Sequence, residues 1–200
     1  MATGRPREFD LDERLDRAMR VFWQHGYEGA GLADLTAAMG ISRPSLYAAY
    51  GNKEALFRKA VDRYADGPAR HLAEALLEPT ARAAAEHLLR GAVDVTTAPE
   101  NPSAGCLVVQ GALATGEQSE PPRRELAARR LAGELRLRER FDRARAEGEL
   151  PPGTDTADLA RYITTVSYGI SVQAASGATR AELHRTVDLT LRSWPADAKA

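Results

Sequence analysis

The segment from residue 31 to 57 holds the groups best suited to chemistry in this chain, and that chemistry is recognition, not bond-making. Arg43 and Lys53 lie within it, and Arg5 and Arg7 stand near the start. Guanidinium and ammonium groups neutralise phosphates, and a guanidinium can also form a two-pronged pair with guanine O6 and N7. Catalytic patterns are missing from the sequence: it has no Walker loop, no dinucleotide-type glycine fingerprint, no Gly-x-Ser-x-Gly elbow and no zinc-deaminase signature. His25, His71, His87 and His184 lack metal-ligand spacing, so neither a metal nor another cofactor is expected, and no enzyme. Cys106 sits in an apolar run with no cation close by to hold a thiolate. It reads as a small buried hydrophobe, with a thiol sensor as the sharper alternative.

The cations need a scaffold, and the residues around them describe one. Leu32, Leu35 and Met39 share one helical face, and Gly40 is the natural left-handed residue after that helix. Ser42 then offers an N-cap oxygen, and Pro44 is tolerated in the first turn of a second helix. Two short helices across so tight a turn make a helix-turn-helix, whose second helix can enter a DNA major groove. An earlier helix starts at Asp10 with Glu13, carries Leu11, Leu15, Ala18 and Phe22 as its apolar stripe, and ends at Gly26. A fourth begins near Asn52 with Leu56, Phe57, Ala60, Val61 and Tyr64 as its packing face, and Gly67-Pro68 stops or kinks it.

Five more helices follow. Pro79-Thr80 opens one that closes before Pro99; residues 105 to 113 form an apolar one; a long charged one starts at Pro121-Pro122 and runs to Gly148; Asp155 and the Thr179–Glu182 capping box start the last two. The expectation is an all-α protein of about nine helices. Residues 1–51 are its helix-turn-helix domain, with a polar arm over 1–9, and residues 52–194 are a larger helical domain whose first helix, 52–66, links the two. Residues 195–200 are a tail.

Composition fits this reading and sets bounds. The 200 residues are 44% hydrophobic and 28% charged, as in a water-soluble globular chain. The formal net charge is −1, so any cationic surface must be local. The longest uncharged stretch, 162 to 179, carries too many hydroxyls to span a bilayer. With one cysteine and no leader-like start, a reducing cytoplasm is the expected location. The helix over 121 to 147 carries nine arginines between Arg123 and Arg145, but Glu125, Glu134, Glu139, Asp142 and Glu147 interleave with them. That pattern favours a salt-bridged solvated helix over a second nucleic-acid surface.

The wording of residues 10 to 64 is also specific. Tyr27-Glu-Gly, Leu32-Ala-Asp-Leu, Gly40-Ile-Ser-Arg-Pro-Ser-Leu-Tyr47 and Tyr50-Gly-Asn-Lys-Glu-Ala-Leu-Phe57 resemble the N-terminal domain of TetR/AcrR-type transcriptional regulators. Residues 103 to 110 resemble one subgroup's sensor domain. The resemblance implies an all-helical homodimer that reads a palindromic DNA operator, usually represses transcription, and releases DNA when a small-molecule effector fills its C-terminal domain.

By that resemblance Arg43, Pro44, Ser45 and Tyr47 face the DNA, Tyr47 and Tyr50 lay phenol oxygens on phosphates, and Lys53 holds a phosphate at a helix start, with Gly31 and Thr36 completing the set. Core packing is the alternative for both tyrosines. Arg5 and Arg7 either enter the minor groove or belong to a solvated terminus. Two departures stand out: Ala30-Gly31 replace the usual capping hydroxyl, and Ala48 and Ala49 replace larger polar residues. A protein-interaction module that has lost operator reading, or a ligand-responsive activator, is therefore the alternative function. Cys106, Leu107, Gln110, Leu113, Tyr162 and Val166 are the expected lining of an uncharged effector pocket. Tyr162, Val166, Gly169, Ile170 and Gln173, with Leu183, Val187, Thr190 and Leu191, are the expected dimer face.

Overall fold

The computed structural model describes residues 7–101, 103, 105–113 and 120–195, with the side chains of 7–10, 112 and 113 left aside. Among the described residues every regular element is a helix. The order is α1 (Arg7–Gly29), α2 (Leu32–Met39), α3 (Arg43–Tyr50), α4 (Lys53–Asp66), α5 (His71–Ala75), α6 (Ala81–Thr96), α7 (Leu107–Leu113), α8 (Glu120–Ala146), α9 (Thr156–Ala175) and α10 (Arg180–Arg192).

Most starts and stops follow the local chemistry. Asn52, Thr80 and Asp155 accept backbone N–H bonds as N-caps, and Thr179 with Glu182 closes a full capping box. Three details differ from expectation. The first helix starts at Arg7, so Arg7 belongs to α1 and not to an arm. Gly26 does break it, at φ 67° and ψ −177°, a conformation essentially open to glycine alone, but one more helical turn carries the chain to Gly29. After Gly67-Pro68 the chain makes the short α5, five residues with too little length to leave a periodic signal.

Two buried clusters organise the packing. The first holds Phe22, Trp23, Leu35, Leu46, Phe57 and Tyr64, so the whole packing face of α4 belongs with α1–α3. Leu107 of α7 and Leu126 of α8 also enter it, which seats the helix-turn-helix on the larger half. A unit of about 55 residues buries little core alone, and this shared cluster supplies the rest. The second cluster joins α6, α8, α9 and α10 around Leu89, Leu137, Phe141, Ile163 and Val187.

Polar contacts reinforce the join. Arg63 of α4 grips Asp16 of α1 with two bonds of 2.7 and 2.9 Å. Arg129 of α8 reaches Asp62 of α4 at 2.6 Å, and Trp23 Nε1 donates to the Gly105 carbonyl at 2.8 Å. No helix among the described residues is long and apolar enough to cross a membrane.

Candidate nucleic-acid interface

The turn between α2 and α3 is built as the residues require. Gly40 adopts φ 65° and ψ 38°, and the Ile41 N–H reaches back to Thr36 O at 3.1 Å. A side chain there would be strained, so glycine is needed. Ser42 caps α3 by accepting from Ser45 N at 3.3 Å, and the two hydroxyls share a 2.9 Å bond. Leu46 and Tyr50 are buried on the inner side of α3. The outer side then presents Arg43, Pro44, Ser45, Tyr47, Ala48 and Ala49, all exposed. This short helix carries one cation and no acid.

The two tyrosines part company. Tyr47 is 46% exposed and available to a ligand. Tyr50 is only 7% exposed, and its hydroxyl donates to the Leu11 carbonyl of α1 at 3.0 Å. The phosphate role expected for Tyr50 is therefore replaced by a packing role: at spacing i+4 from Leu46 it turns inward with that leucine. Thr36 donates its hydroxyl to Leu32 O at 2.9 Å, so its proton is spent within α2. Gly31 occupies the N-cap of α2 without any side-chain cap, and a Cβ there would meet the Asp34 carboxylate at 2.8 Å.

Lys53, the first residue of α4, is half-buried, and its Nζ lies 4.5 Å from the centroid of the Tyr27 ring. Burial lowers its pKa, and Glu28 pulls partly the other way. Tyr27 also meets Phe57 edge-on at 5.2 Å and lies parallel to Phe22 at 6.3 Å, so the aromatic core positions this ammonium. Sequence reasoning missed Tyr27; its helical offset from Lys53 is not a local spacing. Arg5 lies outside the described residues, and Arg7 is the first residue of α1.

The residues expected to line an effector pocket sit in different surroundings among the described residues. Leu107 is fully packed in the first cluster, while Val166 packs against the second. Tyr162 is 46% exposed on α9, Gln110 is half-buried beside Gly105, and the side chain of Leu113 is outside the described residues. Tyr168 of α9 donates to Arg130 O of α8 at 3.3 Å, with its pKa pushed up to about 12 mainly by burial. Cys106 is half-buried beside Tyr64, whose phenol burial holds well above its ordinary pKa. Open space lies elsewhere. A cleft of about 310 Å³ sits between α1, the α4–α5 joint and the end of α6, lined by Met19, Trp23, Pro68, Val95 and Ala98 together with Arg20, Asp94, Glu100 and Asn101.

The residues expected at a dimer face divide between core and surface in the single chain. Ile170, Leu183, Val187, Thr190 and Leu191 are buried in the chain's own core. Tyr162, Gly169 and Gln173 do face outward, together with Val172 and, on α10, Thr186 and Leu189. Apolar residues on an amphipathic helix serve the nearest core first, and α6 claims that side of both helices.

Comparison with known proteins agrees with this geometry. The profile of bacterial regulatory proteins of the tetR family matches residues 15–60, and that of the tetracyclin repressor-like C-terminal domain matches residues 83–190. The chain is 37% identical to the HTH-type transcriptional repressor ComR of Escherichia coli (strain K12), over 96% of this chain and 92% of that protein. It is 34% identical to the uncharacterized HTH-type transcriptional regulator YezE of Bacillus subtilis (strain 168), covering 94% and 97%. Among solved structures, a cysteine mutant of the TetR family regulator CifR bound to 26 bp double-strand operator DNA superposes with TM-score 0.88 at 46% identity, over 96% of this chain and all of that one. With both halves matched and the recognition helix exposed on a Gly40 turn, the chain belongs to the TetR family of DNA-binding transcription regulators and is not an enzyme.

Proposed function

We propose that the protein is a homodimeric repressor that reads an inverted-repeat operator through α3 and leaves it when a small, mostly apolar molecule binds. The observation that carries the reading is the outer face of α3, where Arg43, Pro44, Ser45 and Tyr47 stand exposed beside the Lys53 end of α4. Arg43 reads a guanine, Tyr47 and Lys53 hold phosphates, and the narrow Ala48-Ala49 surface leaves part of the selectivity to DNA shape. Two-fold symmetry places the paired recognition helices about 34–36 Å apart, or a multiple of it. Such a regulator works in the cytoplasm, beside the DNA it binds.

The dimer face in this reading is the outward stripe of Tyr162, Gly169, Val172 and Gln173 on α9 with Thr186 and Leu189 on α10. Tyr162, Val172 and Leu189 are large apolar residues left exposed in the single chain, as a self-complementary interface would require. Release works at the joint. The cleft lined by Trp23, Met19 and Val95 touches α1 on one side and α6 on the other. A molecule that prefers a wider cleft tilts α1, and the recognition helix with it. A coupling of about 1–3 kcal/mol changes operator affinity roughly 5- to 150-fold.

The test is binding to the DNA flanking the protein's own gene, by gel shift at two salt concentrations with random DNA in competition. Competitor-resistant binding that footprints as two half-sites supports the reading. Binding no tighter than to random DNA counts against it and turns attention to Gly31, Ala48 and Ala49. Titration with apolar compounds that never weakens the complex removes the release step while leaving the DNA reading intact.

A further inference from the structure

Four of the nine arginines of α8 are matched with acids on the same helix. Arg124 pairs with Glu120, Arg129 with Glu125 and Asp62, and both Arg138 and Arg145 with Asp142. Of the other five, Arg136, Arg140 and Arg143 share one side of the helix at spacings i, i+4 and i+7. Arg136 and Arg143 are exposed and make no ion pair among the described residues. Arg140 between them is only 4% exposed.

Arg140 is the unusual one. Its Nη2 donates to the carbonyls of Glu78 and Pro79 at 3.2 and 3.0 Å, in the turn between α5 and α6. The nearest carboxylate, Glu149, stands at 3.7 Å and directs its other oxygen to Ala81 N at 2.7 Å, at the start of α6. Arg140 Nε and Nη1 are buried with no partner. A buried guanidinium with two unused donors and a distant counter-charge is expensive, because desolvation is not offset by bonds. The three arginines line a pocket of about 190 Å³ with Leu76 and Glu139. That is room for about six waters, or for a small anion with some of its hydration. Three guanidinium groups against one carboxylate leave its lining net positive.

We propose that Arg136, Arg140 and Arg143 bind a small oxyanion in this pocket, either inorganic phosphate or the carboxylate of a small molecule. Arg140 forms the inner wall of the pocket, and Arg136 and Arg143 supply flanking charge from the mouth. The site is separate from DNA reading: Arg140 lies fourteen residues beyond Leu126, about 21 Å along α8 from the point where that helix meets the N-terminal cluster. The anion completes the clamp that holds the α5–α6 turn against α8, so its binding stabilises the C-terminal half.

The experiment is thermal unfolding of the full chain in inorganic phosphate, in acetate and in chloride at equal ionic strength, with isothermal titration of phosphate alongside. Phosphate stabilises many proteins by exclusion from their surfaces, without a site. The control is therefore the double variant Arg136→Gln/Arg143→Gln, which alters two exposed, unpaired side chains and should fold. The expected result is a midpoint that rises and saturates with phosphate or acetate for the natural chain, with titration heat at one site. In the double variant the saturating part is lost and affinity falls at least tenfold. Saturation with phosphate assigns free phosphate, and saturation with acetate assigns a carboxylate; either supports the site. An identical, non-saturating rise in both proteins overturns it and leaves the pocket to water.

Discussion

The ammonium of Lys53 rests 4.5 Å from the centre of the Tyr27 ring, joining the first residue of α4 to the aromatic core beneath the recognition helix. A cation over a ring face keeps its charge while its stem stays ordered, a contact worth about 0.5–1 kcal/mol at a partly exposed site. The charge proposed to meet DNA is thus positioned by the same residues that build the aromatic core.

Replacing Lys53 by Ala should weaken binding to operator and random DNA alike and flatten the salt dependence by about one unit of slope, because one phosphate contact is lost. Stability should fall by no more than about 1 kcal/mol. An unchanged salt slope in anisotropy titrations would show that Lys53 belongs only to Tyr27.

Arg43→Ala should behave differently. Losing a bidentate guanine contact costs about 1–3 kcal/mol at one base pair and relaxes the preference there. Binding to a panel of operators mutated one position at a time reads this directly. A uniform loss on every sequence would contradict base reading by Arg43.

The two tyrosines of α3 make a paired test. Tyr50→Phe removes the bond to Leu11 O and should lower unfolding free energy by about 1 kcal/mol, with DNA affinity of the folded protein unchanged. Tyr47→Phe should leave stability within about 0.5 kcal/mol and weaken DNA binding. The reverse pattern would exchange their roles.

Acid should reveal His71. Burial, with His87 nearby, lowers its pKa to about 4, although the backbone near Pro68 and the carboxylates of Glu74 and Asp94 pull upward. In the unfolded chain it titrates near 6.5, so between pH 6.5 and 4 the unfolded state takes up a proton that the fold refuses. Stability therefore falls as pH drops through that window and levels below it, by at most about 3 kcal/mol from this group. Denaturant curves should show that part of the acid loss missing in His71→Leu. The same ring explains Gly91 of α6, where an added Cβ would lie 2.5 Å from His71 Cβ; Gly91→Ala should destabilise by about 1–3 kcal/mol.

For the dimer, Leu189→Glu changes a side chain 58% exposed in the single chain, and should yield a folded monomer with greatly reduced operator affinity. Val187→Glu, two residues away but fully buried, should fail to fold. Sedimentation that finds Leu189→Glu still dimeric would move the interface off α10.

Short-range chemistry was legible from residue order alone. Gly40 announced the turn, Ser42 and Thr179 announced helix starts, and the apolar spacing of α4 announced its buried face, because each depends on neighbours within about one helical turn. The exposed face of α3 was legible for the same reason, since α3 is short and its inner positions are few. Tertiary structure decided which of two apolar or amphiphilic faces each helix would spend inward. It turned Tyr50 toward Leu11, Ile170 and Val187 toward α6, and Arg140 under the α5–α6 turn, and it opened a cleft at Trp23. Those outcomes depend on distant partners in the chain, 39 residues apart for Tyr50 and Leu11 and 62 for Arg140 and Glu78. Helical periodicity says that a face is apolar; only packing says which neighbour covers it.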